Sequence, residues 1–219
     1  MKKILVISLA SLAFCTVGAM ADPESLTDAK QAVVRYHDSG KYMQEIAKTM
    51  DSATRYLKMQ LADEIKNGKK PAIVLDIDET SLSNYDNMVK ASFGGTLEQM
   101  QAAEMQGNDT VIAPTLKLYN FAKENNVAVF FITGRHEDER ASTVANLQKA
   151  GFANWDGLIF KSAAYYQSKS AAIYKTAIRK DLATKGYDII LNIGDQKSDL
   201  AGGYARKTVK LPNPFYVIS

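Results

Sequence analysis

The sequence predicts an α/β fold in which a doubly wound parallel sheet is covered by helices on both faces. Short segments that are apolar throughout alternate along the chain with longer segments of helical periodicity. Continuous apolar runs are typical of buried parallel strands, because both faces of such a strand lie against helices. The alternation indicates βαβ units within a single Rossmann-like sheet.

Four buried strands are expected, formed by the apolar runs 72–75, 127–132, 158–160 and 189–193. Between them, helical patterns cover 115–125, 137–150 and 168–185. Residues 207–211 are a candidate edge strand, because Pro212 and Pro214 follow them and proline cannot donate to a β-ladder. These elements define a main domain over residues 71–219.

Two segments do not fit the alternation of strands and helices. Residues 22–70 have apolar positions at helical spacing, interrupted once at Ser39 and Gly40, and predict an N-terminal helical arm that packs on the domain or forms a dimer. Residues 81–113 are polar with scattered Met and Phe, and follow the first strand. Loops at the carboxyl ends of parallel strands border ligand sites, so this insert predicts a small helical cap.

The N-terminus has the pattern of a secretory signal peptide over residues 1–21. Lys2 and Lys3 precede an apolar run, and Ala19-Met20-Ala21 forms an A-x-A cleavage site, so cleavage is expected after Ala21. The mature protein is then expected in the periplasm or outside the cell, without a stable membrane anchor. Loss of the two lysines lowers the formal net charge from +3 to +1, which gives little reason to expect nucleic acid polymers as partners.

Composition excludes several classes of site. The single cysteine, Cys15, lies in the predicted signal, so the mature chain has no disulfide or thiol chemistry. His37 and His136 are the only histidines, which excludes a zinc site built from several histidines.

Polar residues follow three of the expected strands at the point where each apolar run ends. They are Asp76 and Asp78 after the first, Thr133, Gly134 and Arg135 after the second, and Asp195 and Asp199 after the fourth. The carboxyl ends of parallel strands lie on one rim, so these residues are expected to converge. Four carboxylates in a small volume repel one another, and oxygen-only ligands select a hard divalent cation, Mg²⁺ first.

Such a rim suits phosphoryl transfer. A phosphate monoester is close to a dianion, so Mg²⁺, a lysine and hydroxyl or backbone donors must neutralise its oxygens before a carboxylate attacks. Thr133 offers a hydroxyl at a strand end. Asp78 comes two residues after Asp76, and it reaches the scissile oxygen to move a proton if the chain turns there.

The segments Asp76-Ile77-Asp78-Glu79-Thr80, Ile132-Thr133-Gly134-Arg135 and Gly194-Asp195-Gln196-Lys197-Ser198-Asp199, with a lysine between the last two, resemble the four motifs of the haloacid dehalogenase (HAD) superfamily. With an N-terminal signal they resemble most closely its bacterial acid phosphatases of classes B and C, and also the plant vegetative-storage relatives. The resemblance covers residues 71–203.

The resemblance implies a role for each matching residue. Asp76 would be the nucleophile that forms an aspartyl-phosphate, and Asp78 the general acid/base. Thr133 and Gly134 would bind phosphate. The Mg²⁺ ligands would be Asp76, Asp78 through its backbone carbonyl, Asp195, and Asp199 as a ligand or an anchor.

Two basic assignments stay open at this point. Lys175 is the favoured phosphate-binding lysine, because Lys175 and Arg179 resemble the Lys-x-x-x-Arg helix start of the family, while Lys161, closest to its strand end, is the runner-up. Lys169 is a third candidate. Arg135 either contacts phosphate or forms a salt bridge within 135–140.

The resemblance implies an exported, Mg²⁺-dependent acid phosphatase. Its partner would be a small phosphate monoester, with nucleotides as candidates and a second copy of the chain as a further partner. An acidic optimum is expected, because Asp78 must be protonated to act as an acid. The alternatives are a phosphotransferase, a storage-type relative that binds phosphate or nucleotide with little turnover, and a surface binding module that uses the arm.

Overall fold

A computed structural model describes residues 23–64, 70–162 and 170–218. In chain order its elements are α1 (Leu26–Asp38), α2 (Lys41–Glu64), β1 (Lys70–Leu75), β2 (Leu82–Ser83), α3 (Tyr85–Lys90), α4 (Leu97–Glu104), β3 (Thr110–Val111), α5 (Ala113–Glu124), β4 (Ala128–His136), a 3₁₀ turn (Glu137–Glu139), α6 (Arg140–Lys149), β5 (Gly157–Lys161), α7 (Ala171–Thr184), β6 (Tyr187–Gly194), α8 (Lys197–Leu200) and β7 (Lys207–Lys210). The predicted signal sequence and Lys169 lie outside the described residues.

Five of the strands form one parallel sheet in the order β5-β4-β1-β6-β7. The chain adds β4 and β5 on one side of β1, then returns to add β6 and β7 on the other. The strand order therefore reverses next to β1 and β6, and open α/β sheets bind ligands at such a reversal. The predicted α/β class is confirmed.

Alternate residues of the strands face two separate apolar layers. Ile73 and Leu75 of β1 pack with the buried face of α2 and with α5, whereas Ala72 and Val74 pack with Tyr174 and Leu182 of α7. Successive side chains of a strand point to opposite faces, so both faces must be apolar when helices cover both. This explains why each strand reads as a continuous apolar run.

The two N-terminal helices pack on the first of these layers. Gly40 ends α1 with a positive φ of 79°, and α2 then buries Tyr42, Ile46 and Leu57. Because α2 lies against the same core as β1, its apolar stripe is a structural part of the domain. None of the helices in the described ranges has the length and apolar character needed to cross a membrane.

The insert after β1 begins with a tight turn and contains two short helices. Backbone N–H groups of Thr80, Ser81 and Leu82 all donate to the carbonyl oxygen of Ile77, and Glu79 has a φ of 52°. Strands β2 and β3 then pair antiparallel, and α3 and α4 lie between them in sequence. A capping box of Thr96 and Gln99 starts α4.

Candidate active site

A cavity of about 390 Å³ opens at the carboxyl ends of β1, β4 and β6. Asp76 follows β1 directly, and its N–H donates to the carbonyl oxygen of Ile193 at 3.0 Å, which fixes it against β6. Asp195 follows β6, and Asp199 lies in α8 immediately after it. The topology therefore places acids that are far apart in sequence on one wall of the cavity, as the strand ends predict.

A lysine lies between two of these acids. Lys175 Nζ is 2.5 Å from Asp76 Oδ1 and 2.6 Å from Asp199 Oδ1, and all three side chains are at most 7% exposed. Burial alone would lower the pKa of Lys175, but the two carboxylates raise it above its usual value. Lys175 is therefore a fixed positive charge next to Asp76.

Burial also raises the pKa of Asp76. Lys175 opposes this effect, while the carboxylates of Asp199, Asp195 and Asp78 add to it. One lysine is thus too little positive charge for this group of acids, and a further cation would stabilise their ionised forms.

Carboxylate oxygens of Asp76, Asp195 and Asp199 all lie within 4.8 Å of one another. These are hard oxygen donors of the kind that hold Mg²⁺, so the residues fit a divalent metal of that type. Asp195 Oδ2 accepts from Gln196 Nε2 and Asn213 Nδ2, each at 2.6 Å. These two amides fix the orientation of Asp195, whose Oδ1 accepts from Thr80 Oγ1 at 3.3 Å.

Asp199 is held in place by the first turn of α8. Its Oδ2 accepts from Gln196 N at 2.8 Å, closing a capping box at the start of α8. A Cβ on Gly194 would lie 2.4 Å from Asp199 Cβ, so only glycine fits there. Arg179 donates to the carbonyl oxygen of Asp199 and to that of Gly203, and so stabilises the loop behind the acids.

Asp78 lies apart from the three-acid cluster and is paired with Arg135. Arg135 Nη2 is 2.7 Å from Asp78 Oδ1 and 2.9 Å from Asp109 Oδ2, and its Nη1 donates to Thr143. Burial would raise the pKa of Asp78, but Arg135 and an amide bond from Asn84 hold it below its ordinary value. Arg135 thus forms ion pairs with Asp78 and Asp109. Within the described residues it forms none with the acids of the segment 135–140, which was one of the two expectations for this arginine. A phosphate contact of Arg135 stays a prediction.

Thr133 and Gly134 end the buried part of β4. The Thr133 side chain is buried and its Oγ1 accepts from Arg135 N at 3.0 Å, whereas Gly134 lies on the cavity wall with open space beside it. Their predicted contact with phosphate remains a prediction. Of the lysine candidates, Lys175 lies beside Asp76, while Lys161 lines the same cavity at the end of β5.

Several residues of the site were not predicted. Asp109, at the end of the insert, accepts from the same Nη2 of Arg135 that contacts Asp78, and Asn146 fixes the Asp109 backbone. Asn213 reaches Asp195 from the C-terminal segment, where the only sequence signal was a polar residue between two prolines. Tyr216 of the same segment donates to Glu79 Oε2 at 2.7 Å.

Two exposed segments form the outer walls of the cavity. Helix α4 contributes Leu97 and Met100, and the C-terminal segment contributes Val217 and Ile218. Gln101 of α4 lies 2.9 Å from the ring of His136 at the end of β4, so the insert is tied to the sheet at this point.

Comparison with known proteins points to one family. The model of the HAD superfamily, subfamily IIIB (Acid phosphatase), matches residues 10–219. The stem 28 kDa glycoprotein of Glycine max and acid phosphatase 1 of Solanum lycopersicum are each 34% identical over 203 residues, which cover 90% of this chain and 76% of the relative. The class C acid phosphatase from Bacillus anthracis has the same fold, with a TM-score of 0.72 at 22% identity over 88% of this chain and 86% of its own. The resemblance seen in the motifs is confirmed.

Proposed function

Since this chain belongs to the acid phosphatases of HAD subfamily IIIB and is a phosphomonoesterase, we propose that it is an exported enzyme that hydrolyses small phosphate monoesters through an aspartyl-phosphate on Asp76, with Mg²⁺ as cofactor. The observation that carries this proposal is the buried arrangement of Asp76, Lys175 and Asp199, with two contacts of 2.5 and 2.6 Å. It places a carboxylate, a fixed cation and a metal-type acid cluster at one point of the cavity.

In the first half of the reaction, a carboxylate oxygen of Asp76 attacks phosphorus and the bond to the leaving oxygen breaks. Lys175 shifts its hydrogen bond to a phosphate oxygen, and Thr133 and Gly134 donate to others. Asp78 gives its proton to the departing alkoxide. Mg²⁺, held by the acids Asp76, Asp195 and Asp199 and the carbonyl of Asp78, would neutralise charge on the phosphate when bound.

In the second half, water attacks the phosphorus of the aspartyl-phosphate. Asp78 accepts the proton of that water, the bond to Asp76 breaks, and inorganic phosphate leaves. The Arg135 bond holds Asp78 over the cavity in both steps, which suits one carboxyl group for both proton transfers.

The metal and the nucleophile are tested by measuring phosphate release from p-nitrophenyl phosphate after EDTA treatment, with Mg²⁺ then added back. Activity is expected to disappear with EDTA and return with Mg²⁺, and the acid-quenched enzyme is expected to carry acyl-phosphate that Asp76→Asn lacks. Full turnover without metal would contradict the proposal. Binding of phosphate without turnover by the metal-loaded wild type would instead support the storage-type alternative.

Export and the phosphotransferase alternative have separate tests. Export predicts that the secreted protein begins at Asp22, as N-terminal sequencing would show. Phosphate transfer to an added alcohol, exceeding release to water, would identify a phosphotransferase, since the two reactions differ only in the acceptor.

A further inference from the structure

Two glutamates outside the phosphoryl-transfer group line the same cavity. Glu104 comes from α4 in the insert and Glu139 from the 3₁₀ turn after β4. Glu139 is 1% exposed and its Oε1 accepts from His136 N at 2.7 Å, but its Oε2 has no hydrogen-bond donor among the described residues. The Glu104 carboxyl lies beside that of Glu139. A buried acceptor without a donor is costly, and Glu139 is one of the residues that line the cavity.

Contact between two carboxyl groups has a clear electrostatic requirement. Ionised carboxylates only accept hydrogen bonds, so they can adjoin each other only if one holds a proton or a cation lies between them. Burial first, and then Asp78 and Glu139, raise the pKa of Glu104 to about 10, while Arg135 acts in the opposite direction. The Glu104 carboxyl beside Glu139 therefore resists ionisation unless a cation joins the two groups.

Two of the basic residues of the cavity are held by other acids. Lys175 is engaged by Asp76 and Asp199, and Arg135 by Asp78 and Asp109. Lys161 is the remaining lysine or arginine on the cavity wall within the described ranges. Besides Asp76, Asp195 and Asp199, the wall thus carries two glutamates and one further lysine, so carboxyl groups outnumber lysine and arginine side chains in this part of the cavity.

Apolar side chains surround the mouth of the cavity. Leu97 and Met100 lie on α4, and Val217 and Ile218 lie on the C-terminal segment. Alkyl groups can pack against such a wall while a charge reaches the carboxylates, which is the combination that substituted ammonium groups require.

Building on the proposed phosphatase function, we propose that the pair formed by Glu104 and Glu139 binds a positively charged nitrogen on the leaving alcohol. The preferred substrates are then monophosphate esters of amino alcohols or quaternary ammonium alcohols. The phosphate lies at Asp76, and the cationic end of the substrate lies at the glutamate pair.

The test compares two substrates of nearly equal shape, choline phosphate and its uncharged isostere 3,3-dimethylbutyl phosphate. The wild-type, Mg²⁺-loaded enzyme is expected to favour choline phosphate by about 10- to 100-fold in kcat/KM, because the site pairs a charge that the isostere lacks. Glu139→Gln and Glu104→Gln are each expected to reduce that ratio by about ten-fold or more. Glu98→Gln removes the same charge from an exposed position of α4 and is expected to leave the ratio unchanged.

Folding does not confound this measurement. Glutamine at 139 retains the oxygen that accepts from His136 N, and Glu104 is only partly buried, so two independent variants report on the pair. Thermal unfolding of each variant shows whether it is native.

Equal kcat/KM for the two substrates, with good turnover of p-nitrophenyl phosphate, would overturn this inference and leave the proposed function intact. Lack of turnover of all three substrates would instead refute the proposed function. Calorimetry distinguishes a remaining alternative: a second equivalent of bound Mg²⁺ that Glu139→Gln removes would show that the pair binds metal rather than substrate.

Discussion

The rim of the sheet and the outer walls of the cavity are built in different ways. At the rim, Asp76, Lys175 and Asp199 are almost completely buried and each is bonded from more than one element. At the walls, Leu97 and Val217 are 67% and 87% exposed and belong to a short helix and a chain end. The rim is therefore suited to chemistry in which the reacting groups must keep fixed positions. The residues of the walls can change between related proteins without moving those groups.

The largest effect expected at the rim comes from Asp76→Asn, which keeps the shape of the side chain and removes the proposed nucleophile. The value of kcat for p-nitrophenyl phosphate should fall by about 10³-fold or more, because no aspartyl-phosphate can form. Binding of inorganic phosphate, measured by calorimetry, should persist. A variant that keeps a tenth of the wild-type rate would mean that Asp76 is not the group that attacks phosphorus.

Lys175→Met tests whether the ion pairs at the rim also stabilise the folded protein. It leaves two buried carboxylates without their cation, so the free energy of unfolding in EDTA should fall by about 3–5 kcal/mol. Urea denaturation measures this, and Lys197→Met, at an exposed position of α8, is the matched control. If the two variants unfold at the same urea concentration, the ion pairs of Lys175 contribute nothing to folding.

Asn213→Asp tests whether the C-terminal segment acts only as a wall or also supports the rim. Aspartate keeps the acceptor for the N–H of Phe215 but loses the amide that donates to Asp195. Mg²⁺ affinity by calorimetry should weaken by about 10- to 100-fold, since bonds to metal-ligating carboxylates usually matter to that extent. Asn108→Ala, in an exposed loop, should bind Mg²⁺ as the wild type does.

Arg135 gives the smallest expected effect, and it concerns pH. Because Arg135 lowers the pKa of Asp78, and Asp78 must be protonated to act as an acid, the pair moves the alkaline limb of the kcat/KM profile to lower pH. Arg135→Met removes that effect, so the limb should shift to higher pH. Arg135→Lys keeps a charge and should shift it less. A limb that moves downward, or not at all, would show that another group controls it.

The sequence predicted the rim far better than the walls, for physical reasons. Asp76 and Asp195 directly follow apolar strands, and periodicity together with the rule for parallel strand ends is enough to bring them together. Lys175 could be preferred over Lys161 only by its helix start, since Lys161 ends β5 and Lys175 comes after it. The match of Arg135 to Asp78 joins residues 57 positions apart, and no local pattern encodes such a pair.

The walls lacked any comparable signal. Asp109 ends a polar insert and Asn213 lies between two prolines, so each reads as an ordinary loop residue until its partner is known. Glu104 and Glu139 look like solvated helix charges in the sequence. What sets these residues apart is long-range packing, and a single sequence with its local periodicity does not contain that information.

Because Gly194 has no side chain, this position can be used to judge whether a related sequence can form the same acid cluster. Since any Cβ at this position would collide with Asp199, a chain that has another residue there cannot place its second acid as this protein does, even when every acidic motif residue is present. A glycine is easily overlooked in a search for catalytic groups. In surveys of sequenced genomes, its retention next to both acids would separate chains that can assemble the three-acid cluster from chains that have the acidic residues but no room for this arrangement.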